Sequence, residues 1–490
     1  MSRESTLIVI FGATGDLTRR KLMPALYHLH LKKRLPKGLR ILGVSRTQQS
    51  DHQFRDSMRE AVKAVDELSV RLGEWDAFAE LLSYTPGAVD SRDDMTRVAN
   101  HIEKMESGAQ PANRLFYLSI APQLYEPAIK NIGLAKLASE ETGWRRIVVE
   151  KPFGRDLKSA QELNRVVHRY FNERQVFRID HYLGKETVQN LLVFRFANAV
   201  FEPLWNRNYV DHIQITVAEK VVVGDRSGFY DRTGVVRDMV QNHLLQIMTM
   251  IAMEPPSALD AESLRSKKVD VLKAIRPWKP GEARQHAVKG QYRGYEEEKG
   301  VAKDSRTPTF VAMRLFVDNW RWHGVPFYLR TGKGLPTKVS EVLVHFRAPP
   351  HQMFSRERLP SNVLSLCIQP DEGAYLRFEA KVPDEGMETR SVDMRFQYKS
   401  EFRTQAIPEA YERLLQDALA GDPTLFIRSD QIEESWRVVD DLLNDEDGPS
   451  ALPLRLYDRA TWGPEAADAL VTQEGRSWLL LCGGHEEAYV

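Results

Sequence analysis

The feature that most constrains the fold is a short apolar run that leads straight into a glycine-containing turn and a helical pattern. Residues 7–11 predict a buried strand, and GATGDLTRRKL at 12–22 follows it. Small residues in such a turn let the backbone approach a pyrophosphate, which the helix N-terminus also attracts. Gly12 and Gly15 lie three residues apart, unlike G-x-G-x-x-G, and Thr18 occupies the third small position. A plain tight turn is the alternative interpretation.

Strand and helix patterns alternate through the first third of the chain. Further buried strands are predicted at 41–44, 115–120 and 147–149, with helical stretches between them. This alternation favours a parallel, doubly wound sheet. After about residue 305, strand patterns dominate between turns, which predicts a mainly antiparallel sheet. We therefore expect an α/β Rossmann domain at 1–177 and a larger β+α domain at 178–490.

Four further segments carry more specific expectations. A helical, charge-rich stretch is predicted at about 54–82, and two long helices are predicted at 186–197 and 235–252. Residues 279–304 are rich in Gly, Lys and Glu, which predicts an exposed excursion from the fold.

Composition excludes several classes of protein. Lys plus Arg and Asp plus Glu both number 68, so the chain has no overall attraction to nucleic acid or anionic lipid. Two cysteines make neither a disulfide framework nor a zinc pattern and fit a reducing compartment. No run approaches the roughly 18 apolar residues of a membrane helix, and no secretion signal is evident. We expect a cytoplasmic protein without a metal and without nucleic-acid or membrane partners.

The end of the second predicted strand distinguishes NAD from NADP. An NAD enzyme usually has an Asp or Glu there, which accepts hydrogen bonds from the ribose hydroxyls. Here the strand ends in Gly-Val-Ser-Arg, with Arg46 and no acid. A guanidinium binds a 2′-phosphate with two hydrogen bonds and stacks on adenine. The sequence therefore favours NADP, with an ordinary surface arginine as the alternative.

A lysine follows the strand predicted at 147–149. In EKPFGRD at 150–156, Lys151 lies at the carboxyl end of a parallel strand, the edge at which doubly wound sheets bind ligands. Pro152 stiffens the turn, so Lys151 can point between cofactor and substrate. A solvated lysine in a turn is the alternative.

The stretch RIDHYLGKE at 178–186 indicates a phosphate site. His181 and Lys185 are four residues apart and would share one face of a helix, with Tyr182 beside them. Imidazole, phenol and ammonium groups near a helix start suit a phosphate dianion. Asp180 would either cap that helix or point inward to orient another residue.

The predicted helix at 235–252 carries a candidate general base. His243 lies within its apolar sequence, together with Asp238 and Asn242, and buried polar groups need partners or a wet pocket. A histidine suits proton abstraction from an alcohol at neutral pH, and a carboxylate such as Asp180 would fix its tautomer. A hydrogen-bonded core histidine is the alternative.

With these residues, the chain resembles the glucose-6-phosphate dehydrogenase family over nearly its whole length. The motifs that carry the resemblance are GATGDLTRRKL, EKPFGRD, RIDHYLGKETVQNLL, AEK at 218–220, RDMVQNH at 237–243, VPFYLRTGKGLPTK at 325–338 and AYERLL at 410–415. RIDHYLGKE and RDMVQNH in this order are highly specific, whereas a Rossmann turn alone would fit many families.

The resemblance implies NADP-linked oxidation of D-glucose 6-phosphate to 6-phospho-D-glucono-1,5-lactone, the first step of the oxidative pentose phosphate pathway. It implies His243 as the general base and Asp180 as its partner. The implied substrate ligands are Lys151, His181, Tyr182, Lys185, Glu219, Asp238, Lys333 and Lys338. The implied cofactor ligands are Gly12, Thr14, Gly15, Asp16, Leu17, Arg46, Tyr125 and Lys151. The implied assembly is a homodimer or a homotetramer.

Two positions depart from the family pattern. Thr18 replaces the more usual Ala, which adds a hydroxyl near the pyrophosphate turn. Val339 follows Lys338 where members with a second, structural NADP have a basic residue, and the tail HEEAYV is acidic. The sequence therefore argues against a second cofactor site. Two other functions are weighed beside the main one, a dehydrogenase of unphosphorylated sugars and a non-catalytic NADP sensor.

Overall fold

The chain forms two compact units. The computed structural model describes residues 5–72, 74–106, 113–279, 281–351, 353–354, 360–402, 407–443 and 452–482. The first unit consists of residues 1–184, 258–265 and 408–433. The second unit consists of residues 185–257, 266–407 and 434–490. Each unit is built around one sheet.

The first unit contains a parallel sheet of six strands in the order β3-β2-β1-β4-β5-β6. The strands are β1 Thr6–Phe11, β2 Leu39–Ser45, β3 Leu82–Pro86, β4 Asn113–Leu118, β5 Arg145–Val149 and β6 Val176–Arg178. Strand β1 pairs in parallel with both β2 and β4, so the strand order reverses beside it. Ligands of doubly wound sheets bind at the carboxyl ends of the strands at this reversal. The predicted α/β Rossmann fold is confirmed.

The second unit contains a sheet of nine strands in the order β14-β13-β12-β11-β7-β10-β9-β8-β15. The strands are β7 Val210–Ala218, β8 Ala287–Tyr292, β9 Phe310–Phe316, β10 Pro326–Gly332, β11 Val339–Phe346, β12 Val363–Gln369, β13 Gly373–Lys381, β14 Thr389–Gln397 and β15 Leu454–Tyr457. Most neighbours are antiparallel, but β7 pairs in parallel with β10, and β8 with β15. The predicted β+α unit with a mainly antiparallel sheet is confirmed.

Helices pack against both sheets through their apolar faces. The longer α-helices are Met23–Leu31, Asp51–Val65, Glu67–Leu72, Trp75–Ala79, Arg92–Glu106, Tyr125–Leu134, Leu157–Tyr170, Glu186–Phe196, Ser227–Val235, Leu245–Ala252, Ala261–Ala274, Ala410–Ala420, Ser429–Leu443 and Ala466–Thr472. Single-turn α-helices span Ala283–His286 and Tyr398–Glu401. Two π-helices span Thr18–Leu22 and Val236–Leu244. Helix Asp51–Val65 is typical: Ser50 and Gln53 form a capping box at its start, while Phe54 and Met58 are buried.

Two sequence-based expectations about elements are wrong, and a third, the helix at 235–252, is right in position but not in its helix type throughout. Residues 279–304 are not an exposed excursion, because they include β8, a largely buried strand that pairs with β9. The helical stretch predicted at 54–82 breaks into shorter helices and ends at β3. The predicted helix at 235–252 begins as a π-helix. Charged and glycine-rich composition concealed β8, because its alternate side chains are polar yet lie inside the sheet.

Two further observations concern the chain as a whole. Cys367, on β12, and Cys482 form a disulfide, which the spacing of two cysteines did not indicate. Among the residues that the structure describes, no helix is long and apolar enough to cross a membrane.

Candidate active site

A cavity of about 260 Å³ opens at the carboxyl edge of the six-stranded sheet. It is lined by Gly12, Thr14, Gly15, Val44, Ser45, Arg46, Thr47, Gly87, Val89, Asp90, Ser119, Ile120, Ala121 and Leu124. These residues follow the carboxyl ends of β1, β2, β3 and β4 or form those ends. The cavity therefore occupies the crevice in which this topology binds ligands.

The turn after β1 requires glycine at its first position. Gly12 has φ +80°, and a Cβ added there would lie 2.0 Å from the carbonyl oxygen of Ser119. A Cβ at Gly15 would lie 3.0 Å from the carbonyl oxygen of Gly12. The turn thus brings bare backbone to the cavity wall, as a pyrophosphate-binding turn must.

Thr18, the residue that departs from the family pattern, supports the same turn. Its side chain is fully buried, and its hydroxyl lies 3.2 Å from the carbonyl oxygen of Gly12 and 3.0 Å from Oγ of Ser119. The additional hydroxyl therefore links the turn after β1 to the end of β4.

The end of β2 presents a cation and several hydroxyl groups. Arg46 is exposed and lines the cavity. Thr14 Oγ1 lies 3.0 Å from Ser45 Oγ, which lies 2.8 Å from the hydroxyl of Tyr84. The Tyr84 hydroxyl donates to the carbonyl of Thr47 at 2.6 Å. This network fixes the backbone on both sides of Arg46, so its guanidinium extends from a rigid base.

The remaining predicted cofactor ligands lie outside the lining of this cavity. Asp16 is exposed and pairs with Arg20 at 3.4 Å, and Leu17 is half-buried. Tyr125 is only 1% exposed, and burial together with the charge of Glu150 raises its pKa. Thr47, Gly87 and Asp90, in contrast, line the cavity although sequence reasoning missed them.

Lys151 follows β5 at the same carboxyl edge, and a cis peptide bond joins it to Pro152. The preceding residue, Glu150, is buried and accepts a hydrogen bond from Tyr117 at 2.5 Å. Burial raises the pKa of Glu150, whereas hydrogen bonds from Tyr117 and Tyr411 oppose this rise. Glu150 thus anchors the residue before Lys151 in the core.

The stretch after β6 does not form the predicted helix. Residues 181–184 form a turn, and the helix Glu186–Phe196 begins only after Lys185, its N-cap residue. The prediction that His181 and Lys185 share one helical face is therefore wrong. The reason is that the Asp180 carbonyl accepts the N–H of Leu183 at 3.0 Å, which closes a turn instead.

Asp180 likewise does not cap the helix. Its Oδ1 accepts the backbone N–H of Tyr182 at 2.9 Å, and the residue is 1% exposed. His181 and Tyr182 place their ring centroids 5.1 Å apart. The turn therefore presents an imidazole and a phenol from neighbouring positions and directs Asp180 into the interior.

In the second unit, the parallel pair β7 and β10 brings two charged residues together. Gly332 is in register with Ala218, so Lys333 and Glu219 follow the ends of adjacent strands. The Lys333 ammonium forms an ion pair with the Glu219 carboxylate and lies 3.5 Å from Oδ2 of Asp238. Lys333 is 4% exposed, whereas both carboxylates are only partly buried.

Two residues that sequence reasoning missed hold Lys333 in place. The hydroxyl of Tyr457 donates to the carbonyl of Lys333 at 2.7 Å. The ring of Tyr230 lies 5.2 Å from the Lys333 ammonium, close enough for a cation–π contact. Both tyrosines are far from Lys333 in sequence, so no local pattern indicates these contacts.

His243 lies on the π-helix Val236–Leu244, with Asp238 one turn earlier. The side chain of Asn242 accepts the N–H of His243 at 2.6 Å and donates to the carbonyl of Arg237 at 3.0 Å. π-Helical geometry is rare in proteins and is frequent at functional sites. His243 itself is 1% exposed.

The last two predicted ligands, Lys185 and Lys338, differ in exposure. The Lys185 ammonium donates to Oε1 of Gln369 at 2.8 Å, and Gln369 donates in turn to Ser340 at 2.9 Å. Lys338 is exposed in the turn before β11. Gln369 was not among the predicted residues, because an amide at the end of a strand has no distinctive pattern.

The two sites define a class of protein. A parallel sheet with a glycine turn at its order reversal is a dinucleotide-binding architecture. A lysine paired with carboxylates, next to a helix that carries a buried histidine, supplies donors, acceptors and a base for a polyhydroxylated substrate. The class is that of a nicotinamide-dependent dehydrogenase.

Comparison with known proteins identifies the family. Residues 9–190 match the model of the glucose-6-phosphate dehydrogenase NAD binding domain, and residues 192–479 match that of the glucose-6-phosphate dehydrogenase C-terminal domain. The chain belongs to the glucose-6-phosphate dehydrogenase family and is an oxidoreductase. This result favours the main hypothesis over the two alternatives drawn from the sequence.

Individual relatives agree over nearly the full length. A glucose-6-phosphate 1-dehydrogenase from Aggregatibacter actinomycetemcomitans is 44% identical over 491 residues, covering 98% of each chain. A crystal structure of glucose-6-phosphate 1-dehydrogenase from Mycobacterium avium is 40% identical, with a TM-score of 0.83 over 97% of this chain and 99% of that one. A glucose-6-phosphate dehydrogenase structure in complex with glucose-6-phosphate is 34% identical, with a TM-score of 0.89 over 98% and 99%.

The glycine turn yields a direct prediction. Gly12→Ala should weaken NADPH binding by about tenfold or more, because its Cβ meets the Ser119 carbonyl and must displace the turn. Gly38→Ala is the matched control, since Gly38 has φ +74° but open space around a Cβ. It should cost about 1–2 kcal/mol of stability and leave binding unchanged. Fluorescence titration with NADPH measures the affinity of both variants. Wild-type affinity in Gly12→Ala would contradict the assignment.

Proposed function

We propose that the chain oxidises D-glucose 6-phosphate to 6-phospho-D-glucono-1,5-lactone with NADP as the hydride acceptor. The observation that carries the proposal is the buried Lys333, paired with Glu219 and Asp238 on the unit that also holds His243. The relatives that match over nearly the full length bear the name of this enzyme. A dehydrogenase of unphosphorylated sugars would have no evident use for His181 and Lys185 together.

The charged cluster of the second unit is suited to sugar hydroxyls. The Lys333 ammonium offers three donors, and the two carboxylates accept from hydroxyl groups. Because Lys333 is almost inaccessible and restrained by Tyr457 and Tyr230, its position is fixed before the substrate arrives. We assign Glu219, Asp238 and Lys333 to the sugar, with Lys338 at the rim.

We assign the role of general base to His243. Oxidation at C1 requires that the hydroxyl proton leave as hydride departs from the same carbon, and a positioned imidazole accepts this proton. Asn242 and the π-helix fix the backbone of His243, which limits the directions in which its ring can point. The pairing of His243 with Asp180 stays a prediction from the family resemblance.

The phosphate is assigned to His181, Tyr182 and Lys185. The Lys185 ammonium donates a hydrogen bond to Gln369. Lys185 is also the N-cap residue of helix Glu186–Phe196, where the helix dipole favours an anion. His181 and Tyr182 extend from the turn after β6 and supply an imidazole and a phenol. These groups together would neutralise and orient a phosphate dianion.

Two features of the cavity in the first unit support the assignment of a dinucleotide with a 2′-phosphate. Gly12 leaves room that a Cβ would fill, and Arg46 stands beside the cavity, where many NAD enzymes have a carboxylate at the end of β2. We assign Gly12, Thr14, Gly15, Asp16, Leu17, Arg46, Tyr125 and Lys151 to NADP, within a dinucleotide-binding domain at 1–177. Lys151 would contact substrate as well. When bound, the nicotinamide accepts the hydride.

We also propose a homodimer, formed through the second domain at 178–490. The edge strand β14 of the nine-stranded sheet is largely exposed, with Val392 37% and Met394 61% exposed. Apolar side chains that are exposed on an edge strand usually mark an interface. Light scattering that returned the monomer mass of 56.2 kDa would overturn this assignment. A tetramer and a cytoplasmic location remain predictions from the sequence.

Replacement of the base should abolish turnover selectively. His243→Asn should lower kcat by about 10²–10⁴-fold and leave the KM for glucose 6-phosphate nearly unchanged, because the base acts only in the chemical step. His345→Asn, which replaces a buried histidine of β11, controls for loss of packing. A His243→Asn enzyme that kept a tenth of the activity would exclude the role.

Removal of the phosphate ligand should change substrate discrimination. Lys185→Ala should lower kcat/KM for glucose 6-phosphate by about 10–10²-fold, the effect of one hydrogen bond to a charged group. Activity with glucose should change by less than about twofold, because glucose has no phosphate. Lys273→Ala removes an exposed lysine of helix Ala261–Ala274 and serves as the control. Equal losses with both substrates would contradict the assignment.

The cofactor preference should depend on Arg46. Arg46→Ala should lower kcat/KM for NADP by about 10–10²-fold, since it removes bidentate hydrogen bonds to the 2′-phosphate, and should leave NAD nearly unaffected. Arg92→Ala, at the exposed start of helix Arg92–Glu106, provides the comparison. An unchanged NADP-to-NAD ratio in initial rates would count against this role.

A further inference from the structure

Glu150 is a buried carboxyl to which the proposed reaction gives no role. It follows β5 directly and is 8% exposed. Tyr117 on β4, which is 0% exposed, donates its hydroxyl to Oε1 of Glu150 at 2.5 Å. Tyr411, the second residue of helix Ala410–Ala420, donates its hydroxyl to the same carboxyl. Two phenols from distant parts of the chain therefore converge on one carboxyl in the core of the first unit.

The carboxyl of Glu150 also holds the residue that follows it. It accepts the backbone N–H of Lys151, and the charge of the Lys151 ammonium acts on the same carboxyl. Burial raises the pKa of Glu150, whereas the two phenols, the backbone N–H and the ammonium all oppose this rise. Because these partners are donors or a cation, the carboxyl acts toward them as an acceptor, which is the behaviour of a carboxylate.

The helix that carries Tyr411 is fastened alongside β5. The guanidinium of Arg146 on β5 donates to the carbonyls of Ala418 at 2.8 Å and Leu419 at 2.6 Å, near the end of the helix. The strand from Arg146 to Glu150 rises by about 13 Å. The helix from Tyr411 to Ala418 rises by about 10 Å. Strand and helix therefore run side by side in opposite directions, and the phenol of Tyr411 reaches the end of β5.

The start of the same helix is also fixed by charged contacts. Glu412, the neighbour of Tyr411, is 4% exposed and places its Oε1 3.2 Å from Nδ1 of His28. Its Oε2 forms an ion pair with the ammonium of Lys32. His28 and Lys32 lie at the end of helix Met23–Leu31. These contacts restrain the backbone from which the phenol of Tyr411 extends.

We propose that Glu150 is a positioning residue that fixes the backbone of Lys151, and that the hydroxyls of Tyr117 and Tyr411 hold the Glu150 carboxyl in place for this purpose. The proposal rests on the assignment of Lys151 to the cofactor and the substrate. Lys151 itself is only partly buried, so its position depends on what holds its backbone. A displacement of about 1 Å in a group that aligns two bound ligands can cost up to about 10²-fold in rate.

Removal of one phenol hydroxyl tests this restraint. Tyr117→Phe and Tyr411→Phe should each lower kcat with glucose 6-phosphate about tenfold or more, the effect of one hydrogen bond to a charged group. The KM for NADP should change by less than about threefold, because alignment acts in the chemical step. Wild-type kcat in either variant would overturn the proposal.

A matched control separates this effect from a loss of core stability. Tyr328 is 0% exposed, and its hydroxyl donates to the carboxylate of Glu474 at 3.0 Å, outside the assigned sites. Tyr328→Phe should lower the melting temperature about as much as Tyr411→Phe does and keep wild-type kinetics. An equal loss of kcat in Tyr328→Phe would show a general effect of destabilisation and overturn the proposal.

The pH dependence distinguishes positioning from packing. The titratable groups that face Glu150 include the phenols of Tyr117, Tyr125 and Tyr411 and the ammonium of Lys151. A phenol that donates stabilises the carboxylate, so its removal raises the pKa of Glu150. In Tyr411→Phe, the acid limb of kcat/KM should therefore move to higher pH by about one unit. In Glu150→Gln, which cannot ionise, activity should be low and the limb should stay at its wild-type pH. An unmoved limb in Tyr411→Phe would overturn the proposal.

A double variant separates this proposal from the assignment on which it rests. In Lys151→Ala, the further change Tyr411→Phe should cause no additional loss of kcat, because the residue that it positions is gone. If Lys151→Ala alone keeps wild-type kcat and KM, the assignment of Lys151 fails and the proposal falls with it. If Lys151→Ala is impaired and Tyr411→Phe still lowers kcat in that background, Lys151 keeps its role and only the positioning proposal is wrong.

Discussion

Parallel pairing of strands is the constraint on which the rest of the structure depends. In each sheet, strands that run in the same direction end at the same edge, so residues far apart in sequence meet there. Gly12 follows β1, Arg46 follows β2 and Lys151 follows β5 in the first unit. Glu219 and Lys333 follow β7 and β10 in the second, although that sheet is otherwise mostly antiparallel. The residues that we assign to the cofactor and the substrate thus include several that follow the ends of parallel strands.

The ion cluster of the second unit needs both its cation and its anions. A nearly inaccessible ammonium such as that of Lys333 would be strongly destabilising without a counter-charge, and Glu219 and Asp238 supply it. The carboxylates remain partly accessible, so they keep acceptor positions for a ligand. A buried cation with half-exposed anions is therefore a stable ion cluster, and we propose that the same cluster binds hydroxyl groups.

Sequence patterns predicted the sheets and the edge positions because both depend on local periodicity and on order along the chain. The turn after β1 and Arg46 at the end of β2 were found in this way. Local patterns failed where a side chain decides the backbone: Asp180 closes a turn where a helix was expected, and Asn242 accompanies a π-helix. Contacts between distant segments, such as Gln369 with Lys185, leave no periodic trace at all. The disulfide belongs to the same group, because two cysteines specify a pair only once the fold brings them together.

We propose that one chain combines a 2′-phosphate site for the cofactor with a phosphate site for the sugar. The most direct test is the initial rate of reduced nicotinamide formation by the wild-type enzyme in four combinations, NADP or NAD with glucose 6-phosphate or glucose. We expect kcat/KM to be highest for NADP with glucose 6-phosphate, by about 10²-fold or more over glucose. Comparable values for the two sugars, or a preference for NAD, would contradict it.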